Sequence, residues 1–251
     1  MDQFESAFRN IYRSLKVVAR FLKSFYYSTL SLIHKKSLIA QFVLRKSRSV
    51  ENFWDLAHQV GNTRWLTGST PAAELGFLRY SPRALSQEKV LIVGVGKGLT
   101  SNYLSDLGLN VEVLDISKIA FDSLTTNIRK RHLASNYETL PTSYYDVILH
   151  HLVAQHMSFS ALWKQLSALI NSLNIGGSLR IQIASSLSGI EDDLSDEPDD
   201  QKIGRVLRSP DKLKRDIEAD FPVNVTIENQ LDFPEWDTGW RWNLLVAKRY
   251  A

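Results

Sequence analysis

From Phe4 the apolar positions Phe8, Ile11, Leu15, Val18, Leu22 and Phe25 recur at intervals of three and four, which draws a single stripe along a helix. Arg9, Arg13, Lys16, Arg20 and Lys23 repeat that spacing on nearly the opposite face, so the pattern predicts a strongly amphipathic basic helix. A second apolar stretch over residues 26–44 is interrupted by His34, Lys35 and Lys36 and is not expected to cross a membrane. Beyond Glu51 the period changes. KVLIVG reads as a buried strand and Leu99 to Leu107 as a helix; NVEVLDIS reads as a second strand and Ile119 to Arg131 as a second helix, carried by Ile119, Leu124 and Ile128. YDVILHH is a further strand, followed by a helix that Ser158 can cap and that runs to about Leu173, where NIGG stops it. SLRIQIA is the next strand. A helix near Asp211 to Asp220 then precedes VNVTIE and RWNLLVAK, two period-two strands placed to pair at the sheet edge.

Strands alternating with helices specify an α/β fold, a Rossmann-like doubly wound sheet that is mostly parallel with an antiparallel C-terminal edge strand. Its length of 251 residues, 44% hydrophobic and 23% charged, suits one such domain, taken as residues 51–251, behind a helical extension of residues 1–50. The net charge of +3 is unevenly placed: residues 1–50 hold ten Lys/Arg against two Asp/Glu, and the remainder twenty against twenty-five. Packing of the basic helix on the core is favoured for the extension. The competing reading lays residues 4–25 on an anionic membrane surface, which would make the protein peripheral at its inner face. With no cysteine, thiolate metal sites and thiol nucleophiles are excluded, and the opening MDQFESAFRN lacks the basic start and apolar core of a secretory signal, so a cytoplasmic location is expected. The acidic run Glu191 to Asp200 lacks the glycine and closing glutamate of a calcium loop and reads as a solvated loop, so no metal is expected.

In KVLIVGVGKGLTSNYL, glycines at 94, 96 and 98 stand between a strand and a helix start, the context that gives such a loop meaning, with Val95 between the first two. A dinucleotide fingerprint would need glycine at 99, where Leu99 stands, so NAD is the second choice. Asp115, at the end of the second strand, lies where a carboxylate accepts hydrogen bonds from a ribose hydroxyl pair, and Ile116 beside it can lie against adenine. A helix cap is the plainer role for Asp115, with Ser117 competing for it.

VLIVGVGKG, VLDIS, YYDVILHHLVAQHM and LNIGGSLRIQIA resemble, in order and spacing over roughly residues 88–184, the successive motifs of class I methyltransferases that use S-adenosyl-L-methionine (SAM). That resemblance implies SAM as cofactor, with Gly94, Val95, Gly96 and Gly98 near its methionine moiety, Asp115 on the ribose, and residues after Leu149, starting with His150, facing the sulfonium. Two departures stand out. The family usually carries an acid where this chain has Ile92, associated with orienting the cofactor's amino group, so that contact comes from elsewhere or is absent. The stretch from Arg131 to Tyr144 also lacks the family's usual acid before its adenine-contacting pair.

Methyl transfer from a sulfonium mostly needs alignment, and a base only when the nucleophile is poorly acidic. His151 and His156, close to the end of the YDVILHH strand, are the candidate catalytic groups; His151 is the chosen base, although strand-end histidines often serve structure and His156 matches a commonly structural histidine of the family. Enzymes that methylate nucleobase amines typically carry an Asn or Asp, two prolines and an aromatic where this chain has HHLV, so a nucleic-acid partner is disfavoured. Trp236 and Trp240, in PEWDTGW, are the candidate substrate-stacking rings, while Trp54 and Trp242 read as covers for the sheet. FWDLAHQVG and HLVAQHM more loosely resemble small bacterial methyltransferases of polysaccharide and cell-surface glycan assembly. The leading expectation is therefore O-methylation of a sugar hydroxyl of a glycan or glycoconjugate. The alternatives are a small-metabolite or lipid-like acceptor, or a non-catalytic, membrane-associated binding subunit.

Overall fold

The structure is a computed structural model that describes residues 49–60, 70–186, 206–232 and 240–251. The basic helix expected from Phe4, the acidic run Glu191 to Asp200, Trp65 and Trp236 lie outside these residues. Helix α1 (Val50–Gln59) is capped by the Ser49 hydroxyl, which accepts from Asn52 N, and α2 (Pro71–Phe77) by Thr70. The sheet then follows in chain order: β1 (Lys89–Val93), α3 (Leu99–Asp106), β2 (Asn110–Asp115), β3 (Lys130–Leu133), β4 (Tyr145–His150), α4 (Phe159–Ser172), β5 (Leu173–Ser186), α5 (Pro210–Asp220), β6 (Val223–Asp232) and β7 (Trp240–Arg249).

The strands lie in the order β3-β2-β1-β4-β5-β7-β6. The first five are parallel; β7 runs antiparallel between β5 and β6, so the antiparallel part has two strands, with β6 at the edge. Both faces of the parallel part are covered, which is why β1 and β4 read as unbroken apolar runs. Leu91, Val93 and Ile148 meet α4 and α5 through Leu162, Leu166, Leu169, Leu213 and Ile217. Val90, Ile92, Val147 and Leu149 face the other way, toward Leu75, Phe77 and Leu78 of the α2 segment and Leu104 of α3. No helix among the described residues is long and apolar enough to cross a membrane.

One element differs from expectation. The helix read over Ile119 to Arg131 is a single 3₁₀ turn, Ile119–Ser123, after which Leu124 is extended at ψ 142° and the chain enters β3, a strand the periodicity concealed. Local polar groups end the helix. The Ser123 hydroxyl donates to Ala120 O, while Asn102 of α3 donates to Ser123 O and accepts from Thr125 N, so side chains supply the partners that a helix would have supplied. The open edge of β2 supplies the rest, pairing Glu112 with Lys130 and Asp115 with Leu133. Ser158, by contrast, caps α4 as read, accepting from Ala161 N.

Arg208, one of the most deeply buried side chains, lies between β5 and α5 and braces the loop after β4. Its Nη1 donates to Ala154 O at 3.1 Å and its Nη2 to Met157 O at 2.6 Å, while its backbone N–H donates to Ala184 O of β5. Arg208→Met keeps the apolar stem and removes charge-assisted bonds to two carbonyls. It is expected to lower stability by about 1–3 kcal/mol, read from the midpoint of denaturant unfolding.

Candidate functional site

The order of the sheet reverses between β1 and β4, and the loops leaving their carboxyl ends part to open a crevice. A cavity of about 300 Å³ lies there, within the range of small-ligand sites. Gly94, Val95 and Gly96 of the loop after β1 line it, with Asp115 and Ile116 after β2, Ala134 and Tyr137 after β3, and His151, Leu152, Val153 and His156 after β4. Helix α1 contributes Val50, Glu51, Trp54 and His58, and α2 contributes Glu74.

Gly94 is required on two counts: its φ is +83°, and a Cβ there would sit 2.3 Å from Val153 Cγ2. Any side chain would force the loops after β1 and β4 apart. Gly98 serves differently. It does not line the cavity; at φ +71° it packs against the 3₁₀ turn, where a Cβ would meet Ser123 Oγ at 2.8 Å. The expectation that it touches cofactor gives way to a packing role that holds α3 close to that turn.

Asp115 is 8% exposed. Its Oδ2 accepts from Val95 N at 2.6 Å and its Oδ1 from Ser117 N at 2.8 Å, so the carboxylate ties the glycine loop to the end of β2. Two oxygens offer about four acceptor positions, which leaves capacity for hydroxyls. Burial pushes its carboxyl up to about 6, against the backbone N–H groups of Ser117, Val95 and Ile116 that favour the charged form, and the nearby Asp55 carboxylate adds to the rise. Asp55 also fastens α1 to the site, accepting from the Ser117 hydroxyl at 2.5 Å.

The three histidines separate. His150, expected to face the cofactor, is fully buried beneath the cavity and does not line it: strand alternation turns its ring toward α4, where Nε2 lies 2.7 Å from Gln165 Oε1 and Gln165 in turn donates to the Tyr137 hydroxyl. Burial lowers its pKa to about 4. His151 faces the other way, its Nδ1 3.4 Å from Glu74 Oε1, and burial, aided by His150, lowers it to about 3. It is a neutral imidazole at physiological pH, and a weak base. His156 is part-exposed, its ring 5.1 Å from that of Trp54 at 68°, with Gln155 Nε2 3.0 Å from its Nε2. Of the substrate candidates, Trp240 opens β7, and Trp242 is 7% exposed in the core.

Glu74, His58, Ala134 and Tyr137 were not singled out in the sequence. Trp54 was read as a cover and belongs to the cavity wall. Only the buried position of Glu74 among apolar neighbours in PAAELGF hinted at a role.

Residues 91–181 match a family model described as a methyltransferase domain, and they span the loop, Asp115 and the histidines. Over that stretch, about a third of the chain, the protein is similar to methyltransferase domains. The cavity walls suit SAM: among the described residues lining the cavity are the carboxylates of Glu51, Glu74 and Asp115 and no Lys or Arg, a field matched to a sulfonium. No curated protein matches the chain in sequence. Among solved structures it is similar to phosphoethanolamine N-methyltransferase 2 of Haemonchus contortus, solved with phosphomonomethylethanolamine and S-adenosylhomocysteine, at 16% identity and a TM-score of 0.61 over 82% of this chain; the chain spans 61% of that protein's length. It is also similar to the 1,6-didemethyltoxoflavin N1-methyltransferase of Burkholderia thailandensis, at 14% identity and a TM-score of 0.58 over 88% of this chain and 92% of that one. A SAM-dependent methyltransferase of Archaeoglobus fulgidus matches at 16% identity and a TM-score of 0.54, over 76% of this chain and 99% of that one. At these identities the likeness concerns the fold.

If ionised Asp115 holds the ribose hydroxyls of SAM, protonating that carboxyl competes with binding. SAM affinity measured by calorimetry is then expected to fall about tenfold between pH 7 and pH 5, passing through the pKa near 6. Asp115→Asn is expected to bind at least about tenfold more weakly and to lose the pH dependence; an unchanged affinity would remove Asp115 from the ribose site.

Proposed function

We propose that the protein transfers the methyl group of SAM to a hydroxyl of a small uncharged acceptor, a sugar ring being the class that best suits the cavity. The observation that carries this is the charge of the walls. Among the described residues, three carboxylates and no Lys or Arg line the cavity, so a phosphate or carboxylate on the acceptor would find no Lys or Arg partner among those residues. That separates this site from the phosphorylated acceptor bound by the Haemonchus enzyme. The flat apolar face of Trp54 offers a stacking surface for a sugar ring, and His58, His151 and His156 place imidazoles around it, as a hydroxyl that must lose a proton requires.

In this reading Asp115 holds the ribose, Ile116 and Ala134 flank the adenine, and the backbone of Gly94, Val95 and Gly96 lies along the methionine moiety. SAM, when bound, supplies an electrophilic methyl on an already activated leaving group. The chain's contribution is alignment, which can account for much of a displacement's barrier, and a place for the proton. His156 is the better acceptor for that proton. Trp54 fixes the orientation of its ring and it keeps partial exposure, whereas burial has made His151 a poor base.

Incubation with methyl-labelled SAM and a panel of neutral sugars and glycosides, heterocyclic amines, and phosphorylated alcohols tests the acceptor. Label is expected on neutral hydroxyl compounds, and transfer confined to amines or phosphorylated acceptors would overturn the reading. His156→Ala is expected to lower kcat by about a hundredfold with SAM affinity within about twofold of wild type, and full turnover in that variant would remove His156 from proton transfer.

A further inference from the structure

Position 92 brings no carboxylate to the cavity, because Ile92 is 2% exposed and packed in the core with Val90, Val113 and Leu149. A carboxylate reaches the same neighbourhood from a different element. Glu74, on α2, is 8% exposed and lines the cavity together with Gly94, Gly96 and His151. Its Oε2 accepts from the Thr100 hydroxyl at 2.8 Å, in the first turn of α3 two residues past Gly98, and its Oε1 lies 3.4 Å from His151 Nδ1 at the end of β4. The group is thus pinned between the helix that follows the glycine loop and the end of β4. Asp115 lies on the β2 side of β1 and His151 on the β4 side, so the two carboxylates bracket the loop from opposite sides of the central strand.

We propose that Glu74 binds the α-ammonium group of the methionine moiety of SAM, supplying from α2 the charge that position 92 lacks. The proposal rests on the SAM-binding reading of the cavity. A ligand whose ribose is held at Asp115 and which extends across β1 brings its amino-acid end to the β4 side, where Glu74 is. The chemistry fits as well. Glu74 has a neutral hydroxyl on one oxygen and an imidazole held neutral by burial near the other, so the carboxylate is buried without a full cationic partner, and burial raises its pKa accordingly. An ammonium is the partner it lacks. Thr100 turns the carboxylate toward the loop and acts as a positioning residue.

The test compares S-adenosylhomocysteine with its analogue lacking the amino group, titrated calorimetrically into the full chain and into Glu74→Gln. In the wild type, loss of the amino group is expected to weaken binding at least about tenfold; in Glu74→Gln, S-adenosylhomocysteine is expected to bind at least about tenfold more weakly and the two ligands to bind alike. Three outcomes overturn the proposal: an unchanged affinity in the variant, an equal loss for both ligands, or a wild type indifferent to the amino group. If Glu74→Gln does not fold, the wild-type comparison stands alone and Thr100→Val joins it, expected to reduce the preference for the amino group; a preference left unchanged would count against the proposal. Wild type that binds neither nucleoside would instead overturn the SAM-binding reading itself.

Discussion

Strand β1 pairs in parallel with β2 on one side and β4 on the other, through Val90 to Val111 and Val90 to Val147. Because the chain order reverses there, the segments leaving β1 and β4 cannot run alongside one another and a crevice is left between them. What converts the crevice into a shaped cavity is the approach of Val153 to Gly94, which only a residue without a Cβ allows. The brace on the other side is the Asp115 carboxylate, which holds Val95 N and Ser117 N together. Through Ser117 and Asp55 the same carboxylate is coupled to α1, so the helix that carries Trp54 and His58 is positioned by the group proposed to hold the ribose.

The site concentrates groups that a purely structural core would avoid. Asp115 and Glu74 are both buried and both displaced upward, and His150 and His151 are displaced downward, so water is largely withdrawn from acids and bases alike. Each hydrogen bond that opposes these shifts is local and specific: backbone N–H groups on Asp115, the Thr100 hydroxyl on Glu74, the Gln165 carbonyl on His150. This is the pattern of a pre-organised binding site, in which free energy is held in unpaired charge. The imidazole buried in the core, His150, has its side chain turned toward α4, and the one proposed to meet the acceptor, His156, retains some exposure.

Much of the fold was legible because a sheet covered on both faces favours strands rich in apolar residues, and VLIV of β1 and VIL of β4 stand out as such runs. The Ser158 cap and the glycine loop were equally plain, since each meets a local backbone requirement that few residues satisfy. β3 was not. KRHL is polar on its exposed positions and short, and its strand conformation comes from the free edge of β2 and from Asn102, a residue more than twenty positions away. The apolar spacing of Ile119, Leu124 and Ile128 mimicked a helix because a 3₁₀ turn followed by extended chain can still turn Leu124 and Ile128 toward the core.

The apolar strand runs and the glycines at 94 and 96, standing where a strand ends, determined by themselves the sheet and the loop, because turn geometry and strand periodicity are local properties written in consecutive residues. The partners of those groups were decided only by the tertiary structure. Strand alternation at the end of β4 put His150 under the cavity and His151 in its wall, packing assigned Gly98 to Ser123, and α2 brought Glu74 into the cavity wall with Gly94 and Gly96. Nothing along the chain links position 74 to position 92. Helix α2 reaches the cavity because it covers one face of the sheet, which is a matter of tertiary packing.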